Sequence, residues 1–300
     1  MNVIECTGVS KIYGGTRALD NISFSIKENT ITGLIGRNGA GKTTLLKMMA
    51  GFTTVPTGEL TVFSQNPFNN LMVSANSIFL YEQSNFPLYM NVTEVLETGS
   101  CFFENWNAAL AQRLVDYFSF SPKQTYNSLS KGMKSTFRMI FGLSSRCPLT
   151  LFDEPTSGMD AAVRKDFYRA LLKDYIEYPR TMIISSHHLN EIEDILENIL
   201  LIHKGKAIIH LPVAEMKEWA IGLQGNKQTL AKLIKGEKVF YEKSMGLDGI
   251  YMVVENDFSQ SELQIFQLNG VEISSIALSD LCIYLTTKTK GGIDDVFRDS

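Results

Sequence analysis

The spacing of hydrophobic and polar residues changes along the chain, and each change predicts a different kind of structure. Over residues 1–32 the two kinds alternate, so that Ile22, Phe24 and Ile26 fall on one face of the segment ALDNISFSIKENT. This alternation predicts antiparallel strands that lead into an apolar strand, ITGLIG. The segments PTGELTVF and NSIFLYEQ are predicted to be further strands.

From about residue 92 to about residue 142 the apolar spacing becomes helical. The segments VTEVLETG and WNAALAQRLVDYFSF, which lie between Pro87 and Pro122, have this spacing, and a second helix, KGMKSTFRMIFGLSS, follows them. The sequence therefore predicts a helical insert over about residues 92–142.

Strands and helices alternate in the next part of the chain. The apolar strand LTLFDEP is followed by a turn at TSGMD, a helix over 161–177, the strand TMIISS, the helix LNEIEDILENI and the strand LLIHKGKAII. Strands that alternate with crossover helices predict a mainly parallel, three-layer α/β core.

The pattern changes again near Trp219. The segments EWAIGLQG, NKQTLAKLIKG, EKVFYEKSMGLDGIYMVVEN, SQSELQIFQLNG and VEISSIAL are typical of a strand, a helix, paired strands, a helix and a strand. We therefore predict two domains, a large one over residues 1–218 and a small α+β accessory domain over residues 219–300.

Composition excludes several classes of protein. Of 300 residues, 44% are hydrophobic and 20% charged, as in soluble globular proteins, and the net charge of −4 predicts no general affinity for nucleic acid. The four cysteines are isolated, which is typical of reduced packing residues in a cytosolic protein. The N-terminal segment has no continuous apolar core, so no signal peptide is predicted, and no run of eighteen apolar residues predicts a membrane span.

The segment GLIGRNGAGKTTLLKMMAG indicates a phosphate-binding turn. Its spacing, Gly36-x4-Gly41-Lys42-Thr43, is the P-loop pattern, in which glycines let backbone N–H groups surround an anion. An ordinary glycine-rich turn between a strand and a helix is the alternative. The predicted nucleotide-binding residues are Gly36, Arg37, Asn38, Gly39, Ala40, Gly41, Lys42, Thr43 and Thr44.

Within this loop, two side chains have predicted roles toward ATP or GTP. Lys42 would bridge the β- and γ-phosphates, and the hydroxyl of Thr43 would bind Mg²⁺. The helix that starts near Lys42 would add its positive N-terminal end beneath the phosphates.

Two carboxylates follow the apolar strand LTLFDEP, at the edge where open α/β sheets bind ligands. Asp153 is predicted to hold Mg²⁺ through water, and Glu154 to orient or deprotonate the attacking water. A salt-bridged surface pair is the alternative interpretation of these two residues.

A histidine ends the strand TMIISS. His187 could donate a hydrogen bond to the γ-phosphate, although a histidine at a strand end is more often structural. The spacing of His187 and Glu191 also suits two metal ligands on a helix, but the HExxH pattern is missing, so a metal site is not favoured.

The segment LSKGM begins a predicted helix about twenty residues before the acidic strand. Ser130 is the predicted N-cap, which leaves the N–H groups of Lys131 and Gly132 free to meet an anion. In the order P-loop, LSKGM, LFDEPTSGMD and SSH, these segments resemble the motifs of ATP-binding cassette (ABC) ATPases over about residues 1–215. The signature motif of that family is usually LSGGQ and often LSKGM in bacterial exporters; here it comprises Leu129, Ser130, Lys131, Gly132 and Met133.

The resemblance implies a P-loop NTPase fold of ABC type, with a RecA-like parallel core, an antiparallel β subdomain and the helical insert. It also implies that Tyr13 stacks on adenine, that the loop containing Asp160 crosses a dimer interface, and that His187 is a switch histidine. The loop after SIFL would offer one residue to Mg²⁺ and to a membrane partner. Spacing favours Glu82, and Gln83 beside it leaves that assignment open.

Two departures from the family pattern are visible. Families of this kind often have KGMKQR where this chain has KGMKST, with Ser135 and Thr136, so the interface beside the motif is an open question. Met133 in place of glutamine is common enough to leave catalysis intact. The C-terminal segment LSDLCIYLTTK is similar to a helix in the tails of exporter ATPases.

By this resemblance, the chain would be the ATP-hydrolysing subunit of an ABC transporter, with export favoured. Two copies, or one copy and a related ATPase, would enclose ATP and Mg²⁺, with Lys42, Glu154 and His187 as the catalytic residues. The partner would be a separate membrane permease at the cytoplasmic face of the membrane, and no nucleic acid is expected. The alternatives are a soluble ABC-type ATPase that acts on ribosomes or DNA and, if LSKGM is accidental, a kinase or GTPase.

Overall fold

The computed structural model describes residues 1–84, 86–87, 89–234, 236 and 238–287. The chain divides into two compact units, Met1–His210 and Leu211–Ser300. The predicted boundary at residue 218 thus falls inside the second unit. The last part of the predicted accessory domain, residues 288–300, lies outside the described residues.

Two sheets form the first unit. Its strands are β1 Asn2–Tyr13, β2 Thr16–Lys27, β3 Ile31–Ile35, β4 Thr57–Val62, β5 Ser77–Leu80, β6 Leu149–Asp153, β7 Thr181–Ser186, β8 Asn198–His203 and β9 Lys206–Pro212. The larger sheet has the order β5-β6-β7-β3-β8-β9, and the smaller, antiparallel sheet has the order β2-β1-β4. Strands β3, β6 and β7 are buried along their whole length, which explains their near-continuous apolar sequences.

Helices connect these strands and form the predicted insert. They are α1 Lys42–Met49, α2 Leu71–Asn76, α3 Val92–Phe102, α4 Ala108–Tyr117, α5 Lys131–Ser145 and α6 Ala161–Glu177. One buried cluster joins the small sheet and α1 to the large sheet, through residues such as Ile4, Leu46 and Leu151. The predicted three-layer α/β core is confirmed.

The prediction of a helix at LNEIEDILENI is wrong. The chain forms two short 3₁₀ turns, Leu189–Glu191 and Glu193–Ile195, before β8. The N–H of Glu197 donates to the carbonyl of Ile31 at 2.9 Å. The backbone is therefore already hydrogen-bonded to the start of β3 at this point, and a helix cannot continue through it. The apolar residues Leu189, Ile192, Ile195 and Leu196 of this segment are buried without forming a helix face.

The prediction of a single strand at LLIHKGKAII is also wrong. Lys204 and Gly205 have φ angles of 48° and 77°. Two consecutive residues with positive φ are typical of the tight turns that join hairpin strands, so the segment folds back as β8 and β9.

The second unit has the elements α7 Val213–Glu218, β10 Ala220–Asn226, α8 Lys227–Leu233, β11 Val239–Met245, β12 Gly249–Glu255, α9 Gln260–Leu268, β13 Glu272–Ser275 and α10 Leu278–Thr286. Its antiparallel sheet has the order β11-β12-β10-β13. The succession β-α-β-β-α-β from β10 to β13, with this strand order, is the ferredoxin-like topology. The core beneath its helices contains Leu223, Leu230, Ile250, Val254 and Phe266.

Candidate nucleotide-binding site

Three strand ends bring the predicted motifs to one edge of the large sheet. Ile35, which precedes the P-loop, pairs with Ser186 of β7, and Asp153 of β6 pairs with Ser185. The strands are parallel, so the P-loop, the acidic pair and His187 all begin at the same level. This edge is where ligands bind in open α/β sheets.

The P-loop, residues 36–43, requires glycine at two positions. A Cβ on Gly36 would lie 2.4 Å from the carbonyl oxygen of Ile202. Gly41 has a φ of 110°, and a Cβ there would lie 2.6 Å from the carbonyl oxygen of Ala18. Larger residues would therefore push the loop away from the neighbouring backbone. Of the other loop residues, Arg37, Asn38 and Gly39 are exposed, Ala40 is buried, and Thr44 is half-buried.

Helix α1 begins at Lys42 directly after the loop. Its N-cap is Gly41, which brings no side chain of its own to the helix end, and its first turn contains no acidic residue. The first-turn N–H groups and the positive end of the helix dipole thus face the loop, as a phosphate site requires.

The ammonium group of Lys42 lies inside the P-loop, where its side chain is 6% exposed. It donates to the carbonyl oxygens of Gly36 at 2.6 Å and Arg37 at 3.4 Å, and it forms an ion pair with Glu154 Oε1 at 3.1 Å. The predicted phosphate-binding lysine and the predicted catalytic carboxylate are therefore in direct contact.

Asp153 is held by two hydroxyl groups. Thr43 Oγ1 donates to Asp153 Oδ2 at 2.6 Å, and Ser185 Oγ donates to Asp153 Oδ1 at 2.6 Å. The hydroxyl of Thr43 and the carboxylate of Asp153 are hard oxygen ligands of the kind that Mg²⁺ prefers, so the two residues fit the predicted metal.

The carboxylate of Glu154 lies between two predicted catalytic groups. One oxygen pairs with Lys42, and the other lies 2.8 Å from His187 Nδ1. Glu154 has a φ of 47°, which is uncommon for a residue other than glycine, and such backbone outliers concentrate at functional sites. The structure thus brings together Lys42, Glu154 and His187.

Ser185 is a site residue that the sequence analysis missed. Its hydroxyl donates to Asp153 and accepts from the N–H of Glu154 at 2.9 Å, so it fixes both acidic residues. The available signal was the pair of serines that ends the otherwise apolar strand TMIISS.

The signature segment begins α5 as predicted. Ser130 is the N-cap, and its hydroxyl accepts from the N–H of Met133 at 3.3 Å. Leu129 before it is buried, and a Cβ on Gly132 would lie 2.5 Å from the carbonyl oxygen of Gly158. The first turn of α5 therefore lies against the loop that ends at Asp160.

Glu82, one of the two predicted Mg²⁺ ligands, contacts the signature segment. Its carboxylate lies 2.7 Å from the ammonium group of Lys131, and this hydrogen bond holds the pKa of Glu82 below its ordinary value. Gln83 next to it is exposed. A Mg²⁺ ligand at Glu82 or Gln83 stays a prediction.

The remaining predicted residues lie outside this contact network. Asp160 is the N-cap of α6, where it accepts from the N–H of Val163 at 2.9 Å. The ring of Tyr13 is exposed, and the ammonium group of Lys11 lies 5.4 Å from its centre. An exposed ring is available for stacking on a planar base.

Two further features bear on alternative sites. Over the part of the chain that the structure describes, no group of three or more His, Cys, Asp or Glu side chains could hold a metal ion. Glu191 instead forms an ion pair with Arg164. No helix among the described residues is both long enough and apolar enough to span a membrane.

The fold and this edge of the sheet define a P-loop nucleoside triphosphatase. A family model described as "ABC transporter" matches residues 19–157. The bacitracin transport ATP-binding protein BcrA of Bacillus licheniformis is 27% identical over 288 residues, which cover 93% of this chain and 94% of that protein. Nod factor export ATP-binding protein I of Rhizobium leguminosarum bv. viciae is 27% identical over 77% of this chain and 78% of that protein.

Solved structures agree on the fold. An ATP-binding subunit of an ABC transporter superimposes with a TM-score of 0.64 at 18% identity, over 72% of this chain and 92% of that one. The chain is therefore similar to the ATP-binding subunits of ABC transporters, and it is an ATPase of their type. The fold that the resemblance implied is confirmed.

Proposed function

We propose that the chain hydrolyses ATP to drive export through a separate membrane permease, to which it binds at the cytoplasmic face of the membrane. The observation that carries the proposal is the contact of Glu154 with both Lys42 and His187, next to a hydroxyl and a carboxylate that fit Mg²⁺. These groups supply phosphate binding, a proton acceptor and a metal site at one edge of the sheet.

Each residue has a distinct task in this mechanism. Lys42 places its positive charge on the β- and γ-phosphates, and the N–H groups of the loop and of α1 surround the phosphate oxygens. Glu154 accepts the proton of the attacking water, while His187 donates a hydrogen bond to the γ-phosphate. Thr43 and Asp153 would hold Mg²⁺, which would supply positive charge to the phosphates.

Two ATPase chains act together in the proposal, either two copies of this chain or one copy with a related ATPase. The N-cap geometry of Ser130 leaves the first N–H groups of α5 without partners in their own helix, and Lys131 is exposed beside them. These groups would contact the γ-phosphate of ATP held by the other chain, with Asp160 at the same interface. ATP then joins the chains, and its hydrolysis separates them.

The direction of transport is argued from relatives. BcrA is a bacitracin transport protein by name, and its match extends over 93% of this chain; Nod factor export protein I is an export protein by name. Export by this chain is a proposal that rests on that similarity and on the LSKGM form of the signature.

Native purification tests the proposal directly. We expect the tagged chain, extracted from its own cells with a mild detergent, to bring with it an integral membrane protein with several spans. Recovery of ribosomal proteins or of DNA-binding proteins instead would leave the ATPase chemistry in place and contradict the transport function.

A further inference from the structure

Just beyond the signature segment, two buried polar side chains of helix α5 bond to other parts of the fold. Ser135 is 1% exposed and Arg138 is 7% exposed. Buried hydroxyl and guanidinium groups are costly unless they are hydrogen-bonded, so their partners show which parts of the fold they hold. Ser135 is also one of the two positions at which the sequence departs from the usual KGMKQR pattern.

The two side chains form a continuous series of hydrogen bonds. Arg138 Nη1 donates to the carbonyl oxygen of Glu82 at 3.1 Å and to the hydroxyl of Tyr126 at 3.2 Å. Arg138 Nη2 donates to Ser135 Oγ at 2.9 Å, and Ser135 Oγ donates in turn to the carbonyl oxygen of Ser157 at 2.8 Å. The backbone at Glu82 is thus connected to the backbone at Ser157 through two side chains of one helix.

Both ends of this series lie in loops with predicted or proposed roles. Glu82 belongs to the loop that the resemblance to ABC ATPases predicts to meet the membrane partner, and Ser157 belongs to the loop that ends at Asp160, proposed to lie at the interface between ATPase chains. Helix α5 contacts the same loops a second time through its first turn, since Lys131 pairs with Glu82 and Gly132 lies against Gly158. A shift of either loop therefore acts on α5 at two points.

We propose that Ser135 and Arg138 are positioning residues that couple the permease-facing loop at Glu82 to the interface loop at Ser157 within one chain. The inference rests on the proposed function. The Ser135 hydroxyl is the critical element, because it accepts from Arg138 and donates to Ser157 at once. Without it, the guanidinium still holds Glu82 and the interface loop keeps its other contacts, but the two are no longer joined by hydrogen bonds.

Thr136 provides a matched control. It is the next residue of α5 and is 4% exposed, but its hydroxyl donates to the carbonyl oxygen of Gly132 in its own helix, at 3.0 Å. Ser135→Ala and Thr136→Ala both remove one buried hydroxyl from the same turn, so a general loss of packing or polarity would affect them alike. Only the first variant breaks the series between the loops.

The experiment uses the full chain with Glu154→Gln, with and without ATP and Mg²⁺, and measures amide hydrogen exchange in segments 81–84 and 156–160. In the parent and in Thr136→Ala, we expect nucleotide to slow exchange in both segments. In Ser135→Ala, we expect nucleotide to slow exchange in segment 156–160 as it does in the parent. In segment 81–84, we expect the slowing caused by nucleotide to be at least about threefold smaller than in the parent. Thermal midpoints of the two variants should agree.

The outcomes distinguish a failure of the proposed coupling from a failure of the proposed function. If segment 81–84 responds to nucleotide in Ser135→Ala as it does in Thr136→Ala, the coupling is overturned while the ATP-dependent association stands. If the Glu154→Gln parent forms no ATP-dependent dimer in size-exclusion chromatography and neither segment responds, the proposed function is overturned and the coupling with it.

Discussion

The sheet edge of the first unit and the core of the second unit differ in the polar side chains that they bury. At the sheet edge, Lys42, Asp153 and Ser185 are buried, and each bonds to a different element of the fold. In the second unit, the only buried polar side chain among the described residues is that of Thr286, whose hydroxyl donates to the carbonyl of Cys282 in its own helix.

This difference indicates which part of the molecule carries the ATP chemistry. Burying charges costs stability, and a fold retains such an arrangement where it serves a purpose. The core of the second unit, in contrast, consists of apolar side chains. Substitutions at the sheet edge should therefore change ATP chemistry, and substitutions in the second core should change stability alone.

The largest effect is expected from Glu154→Gln. The amide keeps the shape of the side chain but cannot accept a proton, so we expect ATP turnover to fall by about 100- to 10,000-fold. Phosphate release measures turnover, and size-exclusion chromatography should show an ATP-bound dimer that accumulates. Glu177→Gln, at the exposed end of α6, is the control. Unchanged turnover in Glu154→Gln would remove this residue from the mechanism.

Leu223→Ala tests the other side of the comparison. Leu223 is completely buried in the core of the second unit, and its truncation should lower the stability of that unit by about 2–5 kcal/mol. Hydrogen exchange of β10 and β12 in the full chain measures this loss. Nucleotide affinity should stay the same, as in the half-buried neighbour variant Gln224→Ala. A loss of nucleotide affinity in Leu223→Ala would contradict the expectation that substitutions in the core of the second unit change stability alone.

Lys42→Ala should weaken nucleotide binding directly. A charge-assisted hydrogen bond contributes about 1.5–3 kcal/mol, so we expect the dissociation constant for ATP and Mg²⁺ to rise by about 10- to 100-fold. Titration with a fluorescent ATP analogue checks this. Lys47→Ala is the control. It removes a lysine one turn further along α1 that lies over the ring of Tyr81, and this variant should bind nucleotide normally.

The smallest effect concerns pH and His210, the last residue of the first unit. Burial lowers the pKa of this imidazole below its ordinary value of 6.5. The unfolded chain therefore binds the proton more readily, so the contribution of His210 to stability is complete above pH 6.5 and is lost as the pH falls below it. When the pH is lowered from 7.5 to 5.5, the thermal midpoint should fall less in His210→Gln than in the parent. The difference between the two falls should be at most about 2 °C. Equal losses would show that another group carries the pH dependence.

Sequence patterns predicted the parts of this protein whose partners are near in sequence. The P-loop is one such part, because its glycines, lysine and helix start are contiguous. The α5 start is another, because Ser130 caps the N–H of Met133 three residues later. The ends of β6 and β7 were predicted as well, because parallel strands place their carboxyl ends at one edge.

Sequence patterns could not predict contacts that join distant segments. The hydroxyl of Ser185 bonds to Asp153, 32 positions away, and Arg138 reaches Glu82 across 56 positions. Neither contact leaves a local pattern. The missing helix before β8 has the same cause, since a hydrogen bond from Glu197 to Ile31 overrides the local helical spacing.

The position of the P-loop within the sheet bears on how the protein is made. Strand β3, which leads into the loop, lies between β7 and β8, and the loop carbonyl of Ala40 accepts from the N–H of Gly205 at 2.9 Å. A nascent chain that has emerged only as far as residue 180 already contains the entire P-loop sequence, yet neither strand that flanks β3 exists. Because non-local strand pairing must wait for its partner, synthesis has to pass the end of β8 at His203 before this loop can take its final shape. Nucleotide can therefore stabilise only a nearly finished first unit during synthesis.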